Sequence, residues 1–106
     1  MTDRHIAVAE ILLDIEYELR RARLWQSEMP SDDALASDQP FALDTMDFHQ
    51  WLQFILLPRM HDLIDQRLPL PAACGISPIA EEVYKERMEM MKPLLLQLQR
   101  LDKVFQ

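Results

Sequence analysis

One glycine, Gly75, and one cysteine, Cys74, stand in 106 residues. With a single glycine the chain cannot build a glycine-rich phosphate cradle, and it is short of the turn residues that a many-stranded β fold requires. A lone cysteine excludes an intrachain disulfide, and with it the bridged scaffolds of small secreted proteins. Missing too is any apolar run near the roughly 20 residues of a membrane span, since Glu10 and Asp14 interrupt "IAVAEILLDI". The first residues lack a basic segment followed by an apolar one, so the expectation is a cytoplasmic protein with no membrane contact.

What remains is an ordinary globular composition, 49% apolar and 27% charged, which argues against wholesale disorder and for one core. The length is that of one domain, taken here as residues 1–106. The net charge of −7 is concentrated. Between Glu28 and Asp65 stand eight acids against Arg59 alone, and the rest of the chain balances. Such a field repels phosphates and argues against direct nucleic-acid binding. The tight basic cluster, Arg20, Arg21 and Arg23, suits the last turn of a helix, where cations complement the dipole.

Helical spacing dominates. Val8, Ile11, Leu12, Ile15, Leu19 and Ala22 recur at three and four residues and predict a helix from Thr2 or Asp3 to about Trp25. Residues 26–43 break the pattern and read as a long loop with one helical turn after Ser31, its end pinned to the core by Phe41, Leu43 and Met46. A disordered linker is the competing reading. Asp47 with Gln50 forms a capping box for a helix that is apolar nearly all round through "FHQWLQFILL". The apolar stripe continues in phase beyond Pro58 to about Gln66, which predicts one central helix kinked by the proline. After a second loop, Ser77 and Pro78 start a third helix reaching about Met90, with Ile79, Val83, Met90 and the pair Tyr84 and Met88 as apolar contacts. Pro93 ends or bends it, and a last helix covers Lys92 to Phe105. The fold class is all-α, a compact four-to-five-helix bundle.

Reactive residues do not converge. A metal site needs His61 with Asp65, one turn apart, plus ligands from elsewhere, because His5, His49 and His61 share no helical spacing. Cys74 has no nearby cation and reads as an inert small hydrophobe. Ser27, Ser31, Ser37 and Ser77 sit in loop or cap settings without a nucleophile elbow. Neither a metal nor a cofactor is called for. The seven methionines can form an adaptable groove or fill a core. Arg59 follows Pro58 in "ILLPRMHD" as the lone cation of the acidic segment. Its structural role would be to pair with Asp44 or Asp62, or to bind carbonyls freed around Phe54. Its functional role would be to hold a carboxylate or phosphate.

Trp25, "QPF" at 39–41, "DTM" at 44–46, "WLQ" at 51–53, "PRMHDL" at 58–63 and "LP" at 70–71 together resemble the signature of the YqcC-like family, small bacterial proteins of unassigned function. The likeness is specific in the middle of the chain and rests on pattern alone in the flanking helices. It departs at Phe48, where the family carries proline at the helix start. The resemblance implies an all-α cytoplasmic domain without established activity. It makes Asp44, Thr45, Met46, Trp51, Arg59, His61 and Asp62 candidate binding residues. Family members are often encoded beside a tRNA pseudouridine synthase, which suggests that enzyme as a protein partner. The expectation is therefore a non-catalytic binding or accessory module whose acidic segment, Asp32, Asp33 and Asp38 foremost, docks on a basic surface. The alternative is a small-ligand or metal-binding protein, or an enzyme, using the Arg59, His61 and Asp62 region.

Overall fold

The computed structural model describes residues 3–37, 40–42, 44–70 and 75–105, and among them there is no strand. Helix α1 spans Asp3–Arg21, α2 is the single turn Asp32–Leu35, and a 3-10 turn covers Pro40–Ala42. The central helix is built from α3 at Phe48–Trp51, a π-helical stretch at Leu52–Leu56 and α4 at Leu57–Asp65. Helix α5 covers Ser77–Val83, a 3-10 turn follows at Lys85–Arg87, and α6 runs Met88–Val104.

The core forms where the apolar stripes meet. Val8, Leu12, Ile15 and Leu19 of α1 pack with Leu94, Leu98 and Leu101 of α6, all at most 2% exposed. The two helices lie antiparallel, with Arg4 donating to the Val104 carbonyl at 3.0 Å and Asp14 paired with Arg100 at 3.1 Å. Phe48, Leu52, Leu56, Met60 and Ile64 carry the central helix into the same cluster, and Ala80 and Tyr84 bring in α5.

Those five central residues recur every four positions. A plain α-helix turns through 400° in four residues, so four such steps would carry Ile64 about 160° away from Phe48. The π stretch consumes an extra residue in one turn and takes part of that drift back, keeping all five against the core. Its closing bond runs from the Leu57 N–H to the Leu52 carbonyl, five residues back. Pro58 then falls in the first turn of α4, where a missing N–H breaks no bond of that segment.

With few glycines, the helix ends make do. Leu24 N–H bonds to the Leu19 carbonyl and Arg23 N–H to that of Arg20, a Schellman ending with Arg23 at φ 62°. Leu68 and Arg67 repeat it on Leu63 and Ile64, with Arg67 at φ 56°. The first helix therefore stops at Arg21 and not near Trp25.

The C-terminal half differs from the sequence expectation. The third helix ends at Val83, the last begins at Met88, and Pro93 lies inside α6. Val83, Met88 and Met90 are exposed; Tyr84 is buried as expected, and Ala80 and Met91 take the other buried positions. Ser77 is not the cap of α5. Asp102, a full helix away on α6, accepts the Ile76 and Ser77 N–H groups at 2.8 and 2.7 Å, one on each carboxylate oxygen.

Candidate functional site

Three glutamine-bearing positions organise the middle of the chain. The buried Gln53 turns its amide on the backbone of Gln26, accepting its N–H at 2.9 Å and donating to its carbonyl at 2.7 Å. Gln50 accepts the Asp47 N–H at 2.7 Å, the capping contact expected, and donates to the Gln26 side chain at 3.0 Å. The loop leaving α1 is thereby strapped along the central helix. Trp25 in that loop lies under the Arg20 guanidinium, 4.4 Å from its ring centroid. An open cleft of about 500 Å³ lies here, lined by residues 25–30 and Gln50.

Asp44, Thr45 and Met46 serve the long loop itself. Ser37 donates to Asp44 at 2.5 Å, Thr45 donates to the Ala34 carbonyl at 2.7 Å, and Met46 is buried. The helical turn after Ser31 is present, with Ser31 accepting the Ala34 N–H at 3.2 Å. Phe41 packs edge-on to Trp51 at 4.8 Å between centroids, and Trp51 stacks on Phe48 at 5.9 Å. That contact holds Phe41 and Ala42 at φ 59° and 50°, a costly backbone for a bulky side chain. Leu43, Asp38 and Cys74 lie outside the described residues.

The other candidates stay apart. On α4, Arg59 and Asp62 are exposed and His61 is half-buried. Among the described residues Arg59 makes no ion pair, so the expected contacts with Asp44, Asp62 or the carbonyls around Phe54 are not formed. The physical reason is the π stretch, which accommodates Pro58 before any side chain need intervene. No three His, Cys, Asp or Glu side chains among the described residues stand together as a metal-binding group.

A constellation absent from the sequence reading lies where α3 meets the turn after α5. Tyr84 is 1% exposed, and its hydroxyl and the His49 Nδ1 are buried without a hydrogen-bond partner among the described residues. Burial pushes the Tyr84 phenol up to about 12, against the pull of Arg87, whose guanidinium lies 5.5 Å from the ring centroid. Burial also lowers His49, opposed by Asp47 at 3.6 Å and by the Leu24 backbone, and assisted by Arg87. Both groups thus keep their neutral forms at pH 7. No spacing rule could have linked residues 49 and 84.

Two results are expected. Replacing Tyr84 by Phe removes an unpaired buried hydroxyl and raises stability by about 1 kcal/mol in urea denaturation. A loss of that size would instead reveal a partner for the oxygen. For His49, the folded protein favours the neutral ring more than the unfolded chain does, so unfolding takes up a proton at acid pH. That part of the stability is present at pH 7 and is lost as pH falls through 6.5 towards the lowered folded value. The gap between parent and His49→Gln should therefore shrink from neutral pH to about pH 5. A gap constant with pH would contradict the desolvation of this ring.

Known proteins add the context. The DUF446 family, described as tRNA pseudouridine synthase C, matches residues 7–104. The uncharacterized protein YqcC of Escherichia coli strain K12 is 37% identical over 101 residues, 95% of this chain and 93% of that one. A tRNA pseudouridine synthase C of Pectobacterium carotovorum is 41% identical over 86 residues, which span 81% of this chain and 23% of that protein. The solution NMR structure of E. coli YqcC superposes with a TM-score of 0.86 at 36% identity, covering 98% of this chain and 89% of the other. A relative matched almost end to end, in sequence and in backbone alike, means that the chain belongs to the YqcC-like family.

Proposed function

We propose that this protein is a non-catalytic accessory module that docks its acidic middle segment on the basic surface of a tRNA pseudouridine synthase. One observation carries the reading. The described ion pairs to Lys or Arg use Asp14, Glu16, Glu18 and Glu82, all outside residues 28–65. Glu28, Asp32, Asp33, Asp44, Asp47, Asp62 and Asp65 are exposed, with no Lys or Arg partner among the described residues. Carboxylates that spend their charge on no local cation leave a field of one sign, which steers a cationic partner inward and fixes its orientation. An enzyme that grips tRNA presents such a cationic surface. In one relative, a stretch like this chain is part of a longer protein that bears the synthase name.

Titration calorimetry of the chain against the purified synthase, at low and moderate salt, tests the reading. Binding should weaken with salt and fall about tenfold or more when Asp32 and Asp33 are both changed to Lys. Absence of binding, or binding indifferent to both salt and charge reversal, would overturn it.

A further inference from the structure

Helix α1 has a second side. Val8, Leu12, Ile15 and Leu19 are fully buried, yet Leu13 and Tyr17 are 64% and 62% exposed and Ile6 is 49% exposed. At about 100° per residue these three fall within about 40° of one another, on the line facing directly away from the core. A helix that buries one face does not need a second apolar ridge, and here Leu13 and Tyr17 stand one turn apart with Ile6 two turns before Leu13. Glu10 and Arg20 sit on its flanks. Glu10 is exposed and makes no ion pair among the described residues. Arg20 keeps its side chain 55% exposed despite its 3.1 Å contact with Glu16 and its place over the Trp25 ring.

The order along the ridge names its occupant. Glu10, Leu13, Tyr17 and Arg20 read acid, apolar, apolar, base at heptad spacing. Reversed, that order complements itself. We propose that α1 pairs antiparallel with α1 of a second copy of this chain, about a two-fold axis near residue 15. Leu13 of each copy then packs beside Tyr17 of the other, and Glu10 of each meets Arg20 of the other. Every contact occurs twice, as an isologous interface requires. A different protein would need no such internal reciprocity. A parallel pair would set Glu10 against Glu10 and Arg20 against Arg20. The contact is one helix wide and smaller than the roughly 1,600 Å² of stable complexes, so the dimer is weak and reversible. It leaves the acidic segment free, and it stands independently of the proposed partner.

Sedimentation equilibrium up to about 1 mM chain tests it. The parent should show a monomer–dimer equilibrium, and Leu13→Glu should weaken association about tenfold or more. Glu10→Arg alone and Arg20→Glu alone should each weaken it, since each sets like charges face to face. The double exchange E10R with R20E should restore it, because the pair is then complementary again. Helicity by circular dichroism, unchanged across the set, confirms that these exposed positions leave the fold intact. A chain monomeric at about 1 mM overturns the proposal. So does a dimer insensitive to Leu13→Glu, or a double exchange that associates no better than its single parents.

Discussion

Gln53→Leu is expected to lower the unfolding free energy by about 3 kcal/mol, moving the urea midpoint down by about 1 to 2 M. The side chain is close in size to leucine and sits 7% exposed, so loss of volume is not the cause. Instead the substitution deletes both bonds to Gln26 and leaves one backbone N–H and one carbonyl in a part-buried place. Each such group costs about 1 to 3 kcal/mol when it loses its partner, and the added apolar surface returns only part of that. The strap would also loosen, so amide exchange should accelerate in residues 24–30. A variant within about 0.5 kcal/mol of the parent would show that the loop is held by packing alone.

Asp102→Ala should cost about 2 to 3 kcal/mol by the same measurement. Both carboxylate oxygens receive N–H groups, at Ile76 and Ser77, and Ile76 is 2% exposed, so water cannot replace the lost acceptor there. Helix α5 would lose the anion at its N-terminus as well as its tie to α6. Asp102→Asn retains one strong acceptor and should fall between parent and Ala. Equal stability of all three would mean that α5 is fixed by Ala80 and Tyr84 packing alone.

These two residues mark the limit of what the chain disclosed before its structure was known. Stripes such as Val8, Leu12, Ile15 and Leu19 are local, repeat over about three turns and have one structural solution, so α1 and the all-α class were legible. Short signals were also readable where cause and effect lie within four residues, as with Ser31 and the turn it caps. Gln53 and Asp102 act over 27 and 25 residues, and nothing in their neighbourhood distinguishes them from solvent-facing polar residues. The start of α5 at Ser77 and Pro78 was legible, but its cap was not, because the carboxylate that accepts the Ile76 and Ser77 N–H groups comes from α6. The π stretch did leave a trace, the strict four-residue spacing from Phe48 to Ile64, which no α-helix can keep on one face for sixteen residues. Proline drew attention to position 58, and the irregularity lay one turn earlier.

That irregularity holds one residue more than an ordinary α-helix of the same reach needs. Deleting any one residue from Leu52–Leu56 would let the backbone close with ordinary α-helical bonds and would remove no core side chain if an intermediate position such as Ile55 were chosen. Met60 and Ile64 would then follow Phe48 by about 11 and 15 residues, about 20° and 60° round an ordinary α-helix, and would stay on the core face, whereas a deletion within α1 or α6 would swing everything downstream by about 100°. An insertion or deletion between Gln26 and Ser31 would meet no such geometric clock, since loop length is only weakly coupled to stability. Along this chain, tolerance to gaps and tolerance to substitution are different maps, and the π stretch is where they diverge most.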